Sequence, residues 1–313
     1  MTGGRIVVFG GSGFLGSRLV AALAQQGYAV VVPTRKREHA RHLLVLPSVD
    51  VVECDVSDPA AFVELLREAM AVYFLIGILH ERRPGDFGRV HVDLLKRVLA
   101  AAAHAGVGRF LHVSALHADA AGPSEYLRSK AAGESALRQT SLAWTIFQPS
   151  VVFGPGDSFL SLFAALMRWT PVLPLASPDA RFQPLFVGDL VSCLVRALGD
   201  RRTIGQAFAL CGPRVYTLRE IVAYVAQLQG LRRWIFGLGP SLSAIQAAVF
   251  ELLPGPLLTR DNLRSMQKDS VCACAFPELF GLAPASLESI APDEIGPGAV
   301  GDRYLGTREK RLG

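Results

Sequence analysis

The hydrophobic positions fall into short runs separated by longer amphipathic stretches. Runs at 6–9, 29–32, 49–53, 72–76, 110–113 and 144–148 are rich in β-branched and aromatic residues. Several are apolar on both faces, as strands of a parallel sheet covered by helices on both sides must be. Between them, 13–26, 37–46, 59–69, 86–105 and 125–139 have the length and periodicity of crossover helices. Alanines at 100–103 favour a helix there, and Gly106 stands where a C-cap glycine would. This alternation predicts an α/β fold, a Rossmann-type doubly wound parallel sheet.

Past Pro149 the pattern loosens. Pro and Gly recur at Gly154, Pro155, Gly156, Pro171, Pro174, Pro178 and Pro184. Helices are predicted at 187–198 and 218–229, with a short strand at 207–210 between them. The expected organisation is a dinucleotide-binding domain over 1–150 and a smaller, irregular C-terminal lobe over 151–290, interleaved with the sheet rim. Residues 291–313, rich in Gly and charge, read as a flexible tail or docking arm.

Composition narrows the class. The chain has 313 residues, half of them hydrophobic and 19% charged, which excludes a disordered chain and allows a large core. The net charge of +5 is too modest to imply a nucleic-acid partner. The cysteines, Cys54, Cys193, Cys211, Cys272 and Cys274, are odd in number and scattered, so reduced structural thiols are expected. A strand beginning at Arg5 leaves no room for a signal peptide ahead of it. The uncharged runs 139–156 and 234–250 are broken by Pro and Gly and do not read as membrane spans. The expectation is a cytoplasmic protein, at most peripheral to the inner face of a membrane.

The strongest local signal follows the first strand: Gly10-Gly11-Ser12-Gly13-Phe14-Leu15-Gly16. Gly10 permits a tight turn, Gly13 lets backbone approach a pyrophosphate, and Gly16 lets the helix pack on the sheet. Phosphates would then meet the N–H groups of Phe14 and Leu15 at the helix's positive end. The second strand ends without the acid that an NAD site usually places there. Instead Arg35, Lys36, Arg37 and Arg41 cluster around the single acid Glu38. An arginine fork at Arg35 and Lys36 would pair with a 2′-phosphate. The alternative is a solvated helix start, although positive charge is disfavoured there. NADP(H) is preferred and NAD(H) stays open. After the third strand, Asp55 and the backbone of Val56 suit the adenine, while Asp58-Pro59 reads as a helix cap.

Chemistry concentrates at the fifth strand's end. Ser114 closes it, and Tyr126 and Lys130 follow four residues apart on one helical face. An ammonium beside a phenol, with a hydroxyl to hold a carbonyl, can supply the general acid of hydride transfer. No histidine pair, neither His39 with His42 nor His112 with His117, has the company a metal needs.

With those residues the chain resembles the short-chain dehydrogenase/reductase superfamily in its extended or atypical branch, over at least residues 5–210. Further matches are Gln148-Pro-Ser-Val-Val-Phe-Gly-Pro-Gly-Asp157 and Gln183-Pro-Leu-Phe-Val-Gly-Asp189. The first resembles the family's segment at the nicotinamide end of the cofactor, which implies roles for Pro149 and Ser150. Within the superfamily the chain is most similar to the NAD(P)H-binding accessory subunit of respiratory complex I and its bacterial relatives. Gly77-Ile-Leu-His-Glu81, Val90-His-Val-Asp93, the segment 106–115 and Tyr126-Leu-Arg-Ser-Lys-Ala-Ala-Gly-Glu134 carry that resemblance. It implies Gly77 at the cofactor, a nucleotide held tightly and doubtful turnover. It also implies a respiratory-complex or membrane-peripheral partner reached through the C-terminal region. Many extended enzymes have Asn where this chain has His91, an Asn that organises a water relay to the catalytic Lys.

Two functions therefore compete: a nucleotide-binding accessory or sensing protein, and an NADPH-dependent reductase or epimerase using Ser114, Tyr126 and Lys130 on an unidentified substrate. The apolar stretches 234–238 and 244–253, behind Arg232-Arg233, read either as core of the small lobe or as a membrane or partner face.

Overall fold

The computed structural model describes residues 3–55, 59–252 and 257–295. Its centre is a seven-stranded sheet. Strands β1 (Gly3–Phe9), β2 (Tyr28–Thr34), β3 (Val49–Glu53), β4 (Ala69–Phe74), β5 (Arg109–Val113) and β6 (Trp144–Pro149) are joined by a last strand, Gln206–Leu210. The spatial order is Gln206–Leu210, β6, β5, β4, β1, β2, β3, and each pairing among β1 to β6 is parallel. The order reverses between β1 and β4, the switch point at which doubly wound sheets bind ligands. Helices α1 (Phe14–Gln25), α2 (Pro59–Leu66), α3 (Leu94–His104) and α4 (Glu125–Arg138) make the crossovers. The doubly wound α/β class is thus the one the sequence predicts.

The core of this part is aromatic. Phe9, Phe62, Phe74 and Phe110 are buried with Val72, Leu95, Val98 and Ile146. Burying one such side chain contributes about 1.5–3 kcal/mol. The ring of Phe9 meets Phe62 edge-on and Phe74 at a tilt, which fixes how α2 sits over β1 and β4.

Three expected elements differ. The predicted helix 37–46 is a run of 3-10 turns, Arg37–Leu43, with non-helical backbone at Ala40. The predicted helix 86–105 starts with a π-helical turn, Gly88–Asp93, before α3. The fourth strand runs Ala69–Phe74, not 72–76: the apolar residues Leu75 and Ile76 already belong to the switch-point loop.

The chain divides into two compact units, residues 1–149 with 190–209, and 150–189 with 210–313. The lobe expected over 151–290 is therefore interrupted by 190–209. Arg109 shows why that segment returns to the sheet. Its buried guanidinium donates to Ala143 O, Thr145 Oγ1, Ala197 O and Thr203 Oγ1. Tyr73 Oη adds a bond to Leu194 O at 3.0 Å.

The second unit is built from α5 (Phe159–Trp169), the start of α6 (Val187–Gly199), α7 (Leu218–Leu228), α8 (Pro240–Phe250), α9 (Arg260–Ser265) and α10 (Leu287–Ile295). Two-stranded pairs link 152–153 to 185–186, 181–182 to 216–217, and 172–175 to 234–237. Its core holds Phe153, Leu160, Met167, Ile221, Val225 and Leu287. Ala291 is buried there too, so the expected tail begins inside α10, and residues 296–313 lie outside the described ones.

The cysteines correct the sequence expectation of reduced thiols. Cys211 and Cys272 are joined by a disulfide, their Cα atoms 6.0 Å apart. Gln183 draws the two segments together: its backbone N–H donates to Ser270 O, its Oε1 accepts from Cys272 N–H, and its Nε2 donates to Gly212 O. With the partners 61 positions apart, nothing in local spacing signals the pair. Cys54, Cys193 and Cys274 remain thiols.

Candidate nucleotide site

The phosphate loop turns sharply because Gly10 adopts φ of +81°, a region costly for residues with a Cβ. A Cβ on Gly16 would lie 2.1 Å from Gly10 O, so only glycine permits α1 to pack this closely. Gly13 is the N-cap of α1, and no side chain caps it. The first N–H groups of that helix, those of Phe14 and Leu15 among them, are therefore arranged for a phosphate. The loop after β4 lies alongside: Leu75 N–H donates to Phe9 O at 3.0 Å, and a Cβ on Gly10 would stand 3.1 Å from Ile76 N.

At the end of β2, Arg35 and Lys36 are exposed; Arg35 lies in a bend, and Lys36, on extended backbone, directly precedes the 3-10 turns. The 3-10 turns begin only at Arg37, whose backbone N–H donates to Glu53 Oε1 at 2.7 Å. That bond ties β3's acid to the backbone and leaves the β2 rim basic. Asp55 is exposed just beyond β3, and Val56 lies outside the described residues.

Ser114, Tyr126 and Lys130 surround the end of β5. Ser114 is held by its backbone N–H to Phe147 O at 2.7 Å. Its Oγ is buried, and among the described residues it has no hydrogen-bond partner. Such a group costs about 1–3 kcal/mol unless something binds it. Ser124 caps α4 by accepting from Leu127 N–H, which sets the phase of the helix. Tyr126 and Lys130 then stand one turn apart. Lys130 is buried, and its Nζ donates to Val113 O at 3.3 Å. A Cβ on Gly77 would be 3.2 Å from that ammonium, which places Gly77 beside it at the switch point.

Electrostatics follow from burial. Burial pulls Lys130 down to about 8, against the opposing pull of Glu134. Burial pushes the Tyr126 phenol up to about 12, so it is a proton donor at neutral pH.

His91 holds the π-helical turn against α4. Its Nε2 accepts from Ile78 N–H at 3.0 Å, which leaves Nδ1 protonated and donating to Ser129 Oγ at 2.8 Å. Ser129 Oγ passes a bond to Tyr126 O at 2.8 Å. The imidazole stacks on Phe87 and meets Tyr126 edge-on. Burial, then the Lys130 charge, holds it down to about 3, so it is neutral. A Cβ on Gly133 would stand 2.7 Å from His91 O, so that glycine lets α4 reach the turn.

Pro149 adjoins the Ser114 strand end, its O accepting from Leu116 N–H at 2.9 Å. Pro149 is buried at the end of β6, while Ser150 belongs to the second unit, where its Oγ donates to Gln183 O. Asp189, in the motif 183–189, accepts from Ala285 N–H at 2.8 Å and so anchors the segment before α10. Asp157 caps α5 through Leu160 N–H. Residues to which sequence reasoning gave no role are Ser129, between Tyr126 and Lys130, and Glu134. The buried Glu134 carboxylate takes Arg138 and Gln148 Nε2, each at 2.8 Å, linking α4 to β6. Its sequence signs are its place one turn after Lys130 and at the end of the segment 126–134.

Comparison with known proteins gives the chain's family. The family described as NAD(P)H-binding matches residues 10–155. The subunit 9 of the NADH dehydrogenase [ubiquinone] 1 alpha subcomplex from Mus musculus is 32% identical over 290 residues, 90% of this chain and 77% of that protein. A ceramide reductase from Caulobacter vibrioides is 36% identical over 193 residues, 61% of this chain and 60% of that protein. An NADPH-dependent quinone oxidoreductase from Escherichia coli, solved with NADPH, superposes with a TM-score of 0.73 at 19% identity, covering 91% of this chain and 98% of its own. The fold and the family match over residues 10–155 thus define a nicotinamide-dinucleotide-binding protein. Within that class the chain belongs to the family of the complex I NAD(P)H-binding subunit.

Proposed function

We propose that the chain holds NADP(H) as a tightly bound structural or sensing ligand and turns it over slowly. The observation that carries this reading is His91. Where an extended enzyme would keep an Asn and a water relay behind the catalytic lysine, this chain has a neutral imidazole whose two nitrogens are already committed to Ile78 N–H and Ser129 Oγ. With both ring nitrogens engaged, the imidazole itself relays no proton to Lys130.

The bound dinucleotide would supply or accept a hydride. Its phosphates fit the Gly10–Gly16 turn and the start of α1, and a 2′-phosphate fits Arg35 and Lys36. Asp55 is assigned to the adenine. Gly77, Pro149 and Ser150 are assigned to the nicotinamide end. Tyr126 and Lys130 would bind the nicotinamide ribose, a role that keeps both residues without turnover. The relatives' place in a respiratory complex makes such a complex, at the membrane periphery, the partner class to test first.

A second reading is supported by the orphaned Ser114 hydroxyl together with the reductase among the relatives. In it Ser114 Oγ polarises a substrate carbonyl, Tyr126 donates the proton and Lys130 holds the ribose. Single-turnover oxidation of bound NADPH against a panel of ketones, including long-chain amphiphilic ones, separates the two. The accessory reading predicts no oxidation above that of Tyr126→Phe. Fast oxidation in the wild type, lost in Tyr126→Phe with nucleotide binding retained, establishes the reductase.

A further inference from the structure

Helix α8 is built inside out. Ser243 and Ala247, small residues four apart, face inward, whereas Leu242, Ile245 and Val249 are 57%, 60% and 53% exposed on the opposite side. Leu252, just past the helix, is 84% exposed. An ordinary surface helix buries its large aliphatic residues and shows its small or polar ones. No charged residue occurs between Pro240 and Phe250.

The helix is tied to the strand pair beside it, since Gln246 Nε2 donates to Pro174 O at 2.9 Å. Along that pair, two residues back, Trp234 sits opposite Val172. Trp234 is 71% exposed and Trp169, at the end of α5, is 81% exposed. Arg232 and Arg233 immediately precede Trp234, and among the described residues neither pairs with a carboxylate. Arg233 Nε is fixed to Met167 O, and both arginines line an open groove of about 730 Å³ with Leu231, Trp234 and Ile235.

We propose that this face of the second unit rests on a bilayer surface containing anionic lipid. An uncharged aliphatic stripe edged by tryptophans and arginines has the chemistry of an interfacial helix: aliphatics enter the acyl boundary, indoles sit at headgroup level, and guanidiniums meet lipid phosphates. The proposed attachment is monotopic; among the described residues no helix is long and apolar enough to cross a membrane. The proposal is independent of whether the nucleotide site turns over.

The test is co-sedimentation of the full chain with phosphatidylcholine vesicles, with and without phosphatidylglycerol, alongside NADPH titration and light scattering. The expected result is binding at least tenfold stronger to the anionic vesicles. The double variant L242E/I245E should lose at least tenfold of it with NADPH affinity unchanged, and Arg232→Ala should reduce the preference for anionic lipid. Absence of vesicle binding at low salt, or binding that the double variant leaves intact, overturns the proposal. A dimer in buffer that the double variant splits overturns it in favour of a second copy of this chain.

Discussion

His91 Nδ1 donates to Ser129 Oγ across 2.8 Å, and this bond couples the π-helical turn to the helix that carries Tyr126 and Lys130. Replacing His91 with Ala leaves the Ile78 N–H without its partner and takes one of its two bonds from the Ser129 hydroxyl, which keeps Tyr126 O. Unsatisfied buried groups cost about 1–3 kcal/mol. His91→Ala is expected to lower unfolding free energy by at least about 2 kcal/mol. Chemical denaturation measures it, and an unchanged midpoint contradicts the bond's role.

Acid should weaken the fold through two imidazoles. His91 and His112 are both held down to about 3 by burial, against 6.5 when unfolded. Between those values the unfolded chain binds more protons, so stability falls as pH drops through 6.5 towards 3. Lys130 acts at the alkaline end: at about 8 folded against 10.5 unfolded, it makes stability rise with pH between them. Unfolding midpoints across pH in wild type and His112→Phe check this. The acid slope should be shallower in the variant.

Gly16→Ala should remove nucleotide binding and destabilise the fold. The new methyl would stand 2.1 Å from Gly10 O, a backbone atom that cannot swing aside. Overpacking of this kind costs roughly 1–3 kcal/mol or more. Thermal unfolding with and without NADPH reports both effects, and retained NADPH protection would contradict the geometry.

Cofactor choice rests on the β2 rim. Losing a charged hydrogen bond costs about 1.5–3 kcal/mol. Arg35→Ala should therefore weaken NADPH by roughly tenfold to a hundredfold and leave NADH nearly unchanged. Equal loss for both nucleotides would remove the 2′-phosphate assignment.

Reducing Cys211–Cys272 should lower stability by about 4 kcal/mol on loop-closure entropy for a 61-residue separation. Denaturation with and without reductant measures it, and C211S/C272S should match the reduced wild type.

The sheet and its phosphate loop were legible because both are local: strand runs of period and length, and glycines whose spacing is itself the turn. Tyr126, Lys130 and Ser114 were legible for the same reason. Leu75 and Ile76 misled because a half-buried switch-point loop carries the same apolar residues as a strand end. Arg37–Leu43 misled because Lys36 is extended and no side chain caps the turns, so the segment stays short. The disulfide and the Gln183 bonds join segments far apart in the chain, which no local pattern encodes. Ser129 escaped because its role depends on a histidine thirty-eight positions earlier.

The central claim is a nucleotide held as part of the protein. Its most direct test is the dissociation rate of NADPH from the purified chain, followed by displacement with excess unlabelled nucleotide. Release over hours is the predicted result. Complete release within about a second, the timescale of ordinary turnover, would contradict the account and favour the reductase.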